Sequence, residues 1–181
     1  MCQCECPTTA IRHSLVPESV QGPELDVSIF RKPGGKLTDL FCGEFTGFRQ
    51  GHFDLAIIVL GGNDLAGPRP VSDLLDLARK FVDYAKGVAR EVRFCTAEIR
   101  MYGENNRFGV NNEVYKRRRN KYNRTLVRML RRENVRHVDL GKPWFAYERA
   151  RDGVHFSPEA EKRFEREIVR VSLGVKGSEL S

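Results

Sequence analysis

The chain has 181 residues, of which 40% are hydrophobic and 30% charged; this fits one globular domain and excludes a disordered polymer. Its longest apolar run, Leu55 to Leu60, is six residues, too short to span a bilayer. The net charge of +7 is concentrated: Arg107 to Arg136 holds eleven Lys/Arg against two Asp/Glu, a local +9 that leaves −2 for the rest. The opening MCQCECPTTAIRH lacks an apolar core of secretory type, so an intracellular, cytoplasmic protein is expected. Five cysteines, an odd number, fit free thiols in a reducing compartment.

Residues 1–24 read as an irregular N-terminal segment, 25–174 as the folded domain and 175–181 as a tail. Asp26–Phe30 is predicted as a short strand, Pro33-Gly34-Gly35 as a turn and Lys36–Phe45 as a short helix. Asp54–Leu60 is a continuous apolar run with β-branched residues, the mark of a strand covered on both faces. Gly61-Gly62 ends it. Val71 to Val88 carries apolar residues at helical spacing, and Glu91–Ala97 reads as a strand. Asn111–Asn134 is a long helix, Arg136–Leu140 a strand, and Ser157 to Leu173 a last helix with Ser157 as its N-cap. This alternation predicts right-handed crossovers on a parallel sheet, and ligands bind such sheets beyond the carboxyl ends of the strands.

Two segments at those ends carry chemistry. Gly61-Gly62-Asn63-Asp64 comes directly after the most apolar strand; its glycines allow a sharp turn, and an Asn there can donate to an oxygen that becomes negative during acyl transfer. The same tetrapeptide is also ordinary turn chemistry. Asp152-Gly153-Val154-His155 precedes the last helix. A carboxylate at that spacing can hold the imidazole by Nδ1 and leave Nε2 as general base; the plainer reading is a helix-leading loop with a solvated His.

Taken together and in this order, the two motifs resemble those of the SGNH hydrolase superfamily, the GDSL-type esterases and lipases. Gly61-Gly62-Asn63-Asp64 is similar to that family's Gly-x-Asn-Asp block and Asp152-Gly153-Val154-His155 to its Asp-x-x-His block, with Phe156-Ser157-Pro158 continuing the likeness. Gly34 falls where a second block has its glycine. The resemblance covers about Leu25 to Leu173 and implies a three-layer α/β/α fold with a flavodoxin-like parallel sheet. It further implies Asn63 and Gly34 in the oxyanion hole, with Gly61, Gly62 and Asp64 around them, His155 as general base and Asp152 orienting it. The implied substrate is a small ester, with no cofactor and no metal.

One block is missing. No Gly-Asp-Ser occurs in the chain, and Met1–Cys6 contains no apolar first strand, so that strand is expected to be weak or absent. The best sliding match sets Pro7-Thr8-Thr9 against the block, because Ile11-Arg12-His13 is similar to the residues after the block in some members, and this makes Thr9 the candidate nucleophile. Two accounts stand side by side: a start downstream of the natural first strand, or a member that has lost catalysis.

In the long helix, Tyr115, Tyr122, Leu126, Met129 and Leu130 share one face and Arg117, Lys121, Arg124, Arg128 and Arg131 the opposite one. The cationic face reads as a solvated surface or as a contact for RNA or another polyanion. SGNH-like domains also occur in proteins of some retroelements. The second functional reading is therefore a non-catalytic domain binding a polyanion through this helix. Cys2, Cys4 and Cys6 alternate more closely than zinc ligands usually do; His13 could be a fourth ligand, and an accidental Cys-rich leader is the plainer reading. Trp144, Phe145 and Tyr147 either wall an acyl pocket or cap the core.

Overall fold

The computed structural model describes residues 11–12, 28–30, 32, 34–41, 43–103, 109–140 and 154–172. Thr9, Asp152, Pro33, Cys2, Cys4, Cys6, His13 and the Trp144–Tyr147 aromatics lie outside these residues.

Three strands form a parallel sheet: β3 (Phe53–Ile58), β4 (Ala89–Cys95) and β5 (Arg136–Val138), in that spatial order. Ala56 is opposite Val92, Ile58 opposite Phe94, and Phe94 opposite His137. The crossover from β3 to β4 runs through α2 (Gly62–Ala66) and α3 (Val71–Val88), and that from β4 to β5 through α4 (Asn112–Arg132). After β5 the chain continues into α5 (Pro158–Ser172).

Side chains alternate across the strands, and the two faces are buried separately. Ala56, Ile58, Val92 and Phe94 point into the main core, which α3 supplies with Leu74, Ala78, Phe81 and Val82, and α4 with Tyr115, Tyr122, Leu126 and Leu130. Ile57 and Cys95, one residue out of phase, join Val138, Leu140, Phe164 and Ile168 in a second cluster under α5. Two faces covered by helices give three α/β/α layers. Successive crossovers that move one way along the sheet place α3 and α4 together, and α5 covers the other face.

The helix ends are set by local chemistry. Asn111 Oδ1 accepts from the Glu113 and Val114 amides and starts α4. Asn134, with φ of 54°, ends it in a left-handed turn, so that the Val135 amide reaches back to the Leu130 carbonyl. Ser157 starts α5 as expected, its Oγ accepting from the Ala160 amide.

The first half departs from expectation. Ser28–Ile29 (β2) does not extend the parallel sheet but pairs antiparallel with Ile11–Arg12 (β1). Phe30 then packs on Phe48 and Phe53, which anchors this segment beside β3. The helix expected at Lys36–Phe45 is two 3₁₀ turns, Leu37–Phe41 and Gly43–Phe45, with α1 (Thr46–Gln50) directly after them. Gly43 falls between apolar stretches and interrupts the helical period there.

Candidate active site

β3 ends at Ile58, and the chain turns at Gly61 with φ of 104° and ψ of −22°, a conformation that L side chains rarely adopt. α2 begins on the next residue. The expected strand-ending turn is therefore a strand–turn–helix corner, and Asn63 sits in the first turn of that helix. Tyr122, fully buried on α4, lies directly beneath: a Cβ on Gly61 would sit 3.1 Å from its hydroxyl.

Asn63 is held on both sides. Its Nδ2 donates to the Gly35 carbonyl at 3.0 Å, and its Oδ1 accepts from Arg100 Nη1 at 2.8 Å. Arg100 in turn gives Nε and Nη2 to Glu98 Oε1, at 2.8 and 2.7 Å. The side chains of Arg100 and Glu98 are only 9% and 13% exposed. Burial acts to lower the Arg100 pKa, but Glu98, with Tyr115 and Tyr102, overrides it, and the guanidinium is held more firmly protonated than usual. Gly62 leaves room for it, since a Cβ there would lie 2.5 Å from Arg100 Nη2.

The loop after β4 that carries Glu98 and Arg100 is strapped to α4. Asn123 accepts from the Ala97 amide at 2.8 Å and donates to the Ala97 carbonyl at 2.9 Å. Asn112 does the same for Tyr102, at 2.8 and 2.9 Å, and the Tyr115 hydroxyl donates to the Glu98 carbonyl at 3.2 Å. The sequence motifs do not single out these residues. Glu98-x-Arg100 does stand just past a strand's carboxyl end, and that placement is the one signal that could have found the pair.

Between these loops lies a narrow crevice of about 60 Å³, with Gly35, Leu60, Asn63, Thr96, Arg100 and Leu140 among its walls. A wider, open depression of about 540 Å³ lies at the opposite edge, where β3 and β4 begin. That edge carries an exposed Asp54–Arg90 ion pair with His52 and Lys86 nearby, but it lies where the strands begin, whereas ligands of parallel sheets bind beyond the strands' carboxyl ends, so size does not make it the better site. In the crevice the Thr96 hydroxyl is already committed: it donates to Asp139 at 3.1 Å and accepts from the Leu140 amide at 2.8 Å.

The other predicted residues are more scattered. Gly34 is exposed in the turn with φ of 69°, and its neighbour Gly35 is buried, with its amide given to the Lys32 carbonyl. Asp64 is buried and accepts from the Leu37 amide. His155 is exposed ahead of α5 and is not among the described residues lining the crevice. The adjacent Val154 is buried in the core cluster that also holds Leu65 and Tyr115. Parallel strands send the chain from the same edge after β5 as after β3; residues 141–153, between β5 and the segment bearing His155, lie outside the described residues. Arg117, Lys121, Arg124, Arg128 and Arg131 are on α4, Lys121 and Arg131 among its exposed positions. Among the described residues no cluster of three or more potential metal ligands occurs, and no helix is long and apolar enough to cross a membrane.

A family model described as the GDSL-like lipase/acylhydrolase family matches residues 30–163. The chain belongs to that family. Solved structures agree in fold. An acetylxylan esterase from Geobacillus stearothermophilus, crystallised as a catalytic mutant, superposes with a TM-score of 0.61 at 16% identity, over 88% of this chain and 78% of that one. Another acetyl xylan esterase gives 0.56 at 16% identity, over 78% of each chain. A lipase/acylhydrolase from Enterococcus faecalis gives 0.54 at 18% identity, over 82% of this chain and 76% of that one. At these identities the likeness is one of fold. No curated protein matches the chain. As a GDSL-like chain, it carries an α/β fold with a parallel sheet, and among the described residues the strand nearest upstream of β3 is the short antiparallel β2.

Proposed function

We propose that the chain is an ester hydrolase that transfers a short acyl group to water. The observation that carries this reading is Asn63, fixed at the carboxyl edge of β3 with its amide nitrogen beside Gly35 in a narrow crevice. Nδ2 has two hydrogens and Gly35 takes one. The other serves as a donor for an oxyanion, and the Gly34 amide is a second donor in this reading. His155 is the general base and Asp152 holds its tautomer. Thr9, which the sliding match sets at the nucleophile position, is the candidate hydroxyl. The hydroxyl adds to the ester carbonyl while its proton passes to His155. The alcohol then leaves with that proton, and water, activated by the same imidazole, releases the acid. A crevice of about 60 Å³ suits an acetyl better than a long acyl group, in keeping with the acetyl substrates named for two of the structural neighbours.

The test is hydrolysis of chromogenic acetyl and longer-chain esters. Acetyl turnover is expected, falling by roughly 10²–10³ in Asn63→Ala and by about 10⁴ or more in His155→Ala. Thr9→Ala decides the nucleophile. Turnover that survives His155→Ala overturns the reading.

A second reading is favoured by one observation. Lys121, Arg124, Arg128 and Arg131 line the outer face of α4, and among the described residues none of them has an acidic partner. In this reading the face holds the phosphates of an RNA strand, independently of the crevice.

A further inference from the structure

We propose that Arg100 is a positioning residue that sets which end of the Asn63 amide faces the crevice. The proposal rests on the hydrolase reading above and deepens it.

An Asn side chain has two ends of nearly equal shape and opposite hydrogen-bonding sense. Only Nδ2 can donate to an oxyanion. An amide turned by 180° would offer Oδ1 instead, and two oxygens would repel. Something must therefore choose the rotamer, and the neighbours of Asn63 do so by chemistry alone. Arg100 has donors and no acceptor, so the atom 2.8 Å from its Nη1 must be Oδ1. The Gly35 carbonyl is only an acceptor, so the atom 3.0 Å from it must be Nδ2. Both contacts favour the same orientation, and the charge-assisted one from Arg100 is the shorter and the stronger of the two.

Arg100 is equipped for this task. Glu98 takes two of its N–H groups through one oxygen, Nε at 2.8 Å and Nη2 at 2.7 Å, which leaves Nη1 aimed at Asn63. The carboxylate also balances the charge. A bare guanidinium in the crevice would hold a carboxylate product; a paired one orients without trapping it. The scaffold is rigid, because Asn123 and the Tyr115 hydroxyl tie the loop to α4 at Ala97 and Glu98. Gly62 supplies the space in which the guanidinium lies.

The test uses the full chain. Arg100→Met removes every donor but strands Glu98, so the charge-balanced Glu98→Gln/Arg100→Met double variant is the main probe and Arg100→Lys the rescue. In ¹⁵N-labelled protein the Asn63 side-chain amide is expected to give two dispersed, slowly exchanging protons. In the double variant they should move toward free-amide positions and exchange at least about tenfold faster, with the rest of the backbone spectrum unchanged. With an acetyl ester, kcat should fall about tenfold to a hundredfold and KM should stay within about twofold, Arg100→Lys recovering part of the loss. Asn63 amide signals and kcat that ignore the loss of Arg100 overturn the proposal and leave the hydrolase reading standing. If the wild-type protein hydrolyses no ester but the Asn63 signals respond as described, the hydrolase reading fails and the control of Asn63 by Arg100 holds.

Discussion

The Leu37 amide donates to Asp64 Oδ2 at 3.1 Å, a buried bond between residues 27 positions apart. It ties the loop that carries Gly34 and Gly35 to the helix that carries Asn63. Burial raises the Asp64 pKa above its ordinary value of 3.8, against the pull of the Leu37 hydrogen bond and of Lys36. The folded protein thus keeps the proton at a pH where the unfolded chain has released it. This contribution favours folding fully below the unfolded value and is lost as pH rises through the folded one. Asp64→Asn cannot ionise and keeps an acceptor for Leu37. Its unfolding free energy, relative to wild type, should therefore rise as pH increases from about 3 and then level off. Denaturant titrations across that range measure it; a relative stability that falls with pH contradicts the assignment.

Gly62 separates two explanations for a glycine at this corner. Its backbone is helical, so flexibility is not the reason. The reason is Arg100, whose guanidinium fills the place of a Cβ and is fastened to Glu98. Gly62→Ala should cost about 1–3 kcal/mol and lower ester turnover. Introduced into the charge-balanced Glu98→Gln/Arg100→Met background, where no guanidinium fills that place, Gly62→Ala should cost less stability than in the native chain and restore none of the turnover. Gly61→Ala fails for the other reason, its φ of 104°, and no change at Arg100 should rescue it.

Tyr122 offers a gain. Its hydroxyl is buried, and among the described residues it has no hydrogen-bond partner. Burial, with Asp64 nearby, pushes its pKa up, so the phenol stays neutral. An unmade bond of this kind costs about 1–3 kcal/mol. Tyr122→Phe should leave stability unchanged or raise it, and a loss above about 1 kcal/mol in a denaturant titration would reveal a partner for the hydroxyl.

For the outer face of α4, a strand that occupies Lys121, Arg124, Arg128 and Arg131 should show a log–log salt slope of roughly −3. Binding should weaken in Arg124→Glu/Arg128→Glu and survive His155→Ala. An absence of RNA binding at low salt removes the second reading and leaves the face as solvated surface.

The parts of the fold with strong periodicity were legible. Val71–Val88 is a helix over that span, and the five apolar residues of α4 are all buried. The run at Asp54–Leu60 also announced a strand covered on both faces, because its residues alternate between two cores. The first half was not legible. Ser28–Ile29 is a β pair with no pattern that tells parallel from antiparallel, and the 3₁₀ turns around Gly43 have no clear period. In the site, Asn63 and Asp64 could be picked out by motif. Arg100 could not, because its meaning comes from a partner 37 residues earlier and from the empty side of Gly62. Nor could Asn112 and Asn123, which satisfy backbone groups of the loop after β4 from positions well along the sequence.

The three groups that meet at the Asn63 amide come from the turn before the 3₁₀ segment, the corner after β3 and the loop after β4. No short fragment of the polypeptide contains the arrangement, and a half-assembled chain would have an amide free to spin. Competence should therefore arrive all at once, as the last long-range contacts close. Catalytic recovery during refolding would then report completion of the tertiary structure more sharply than helical content does.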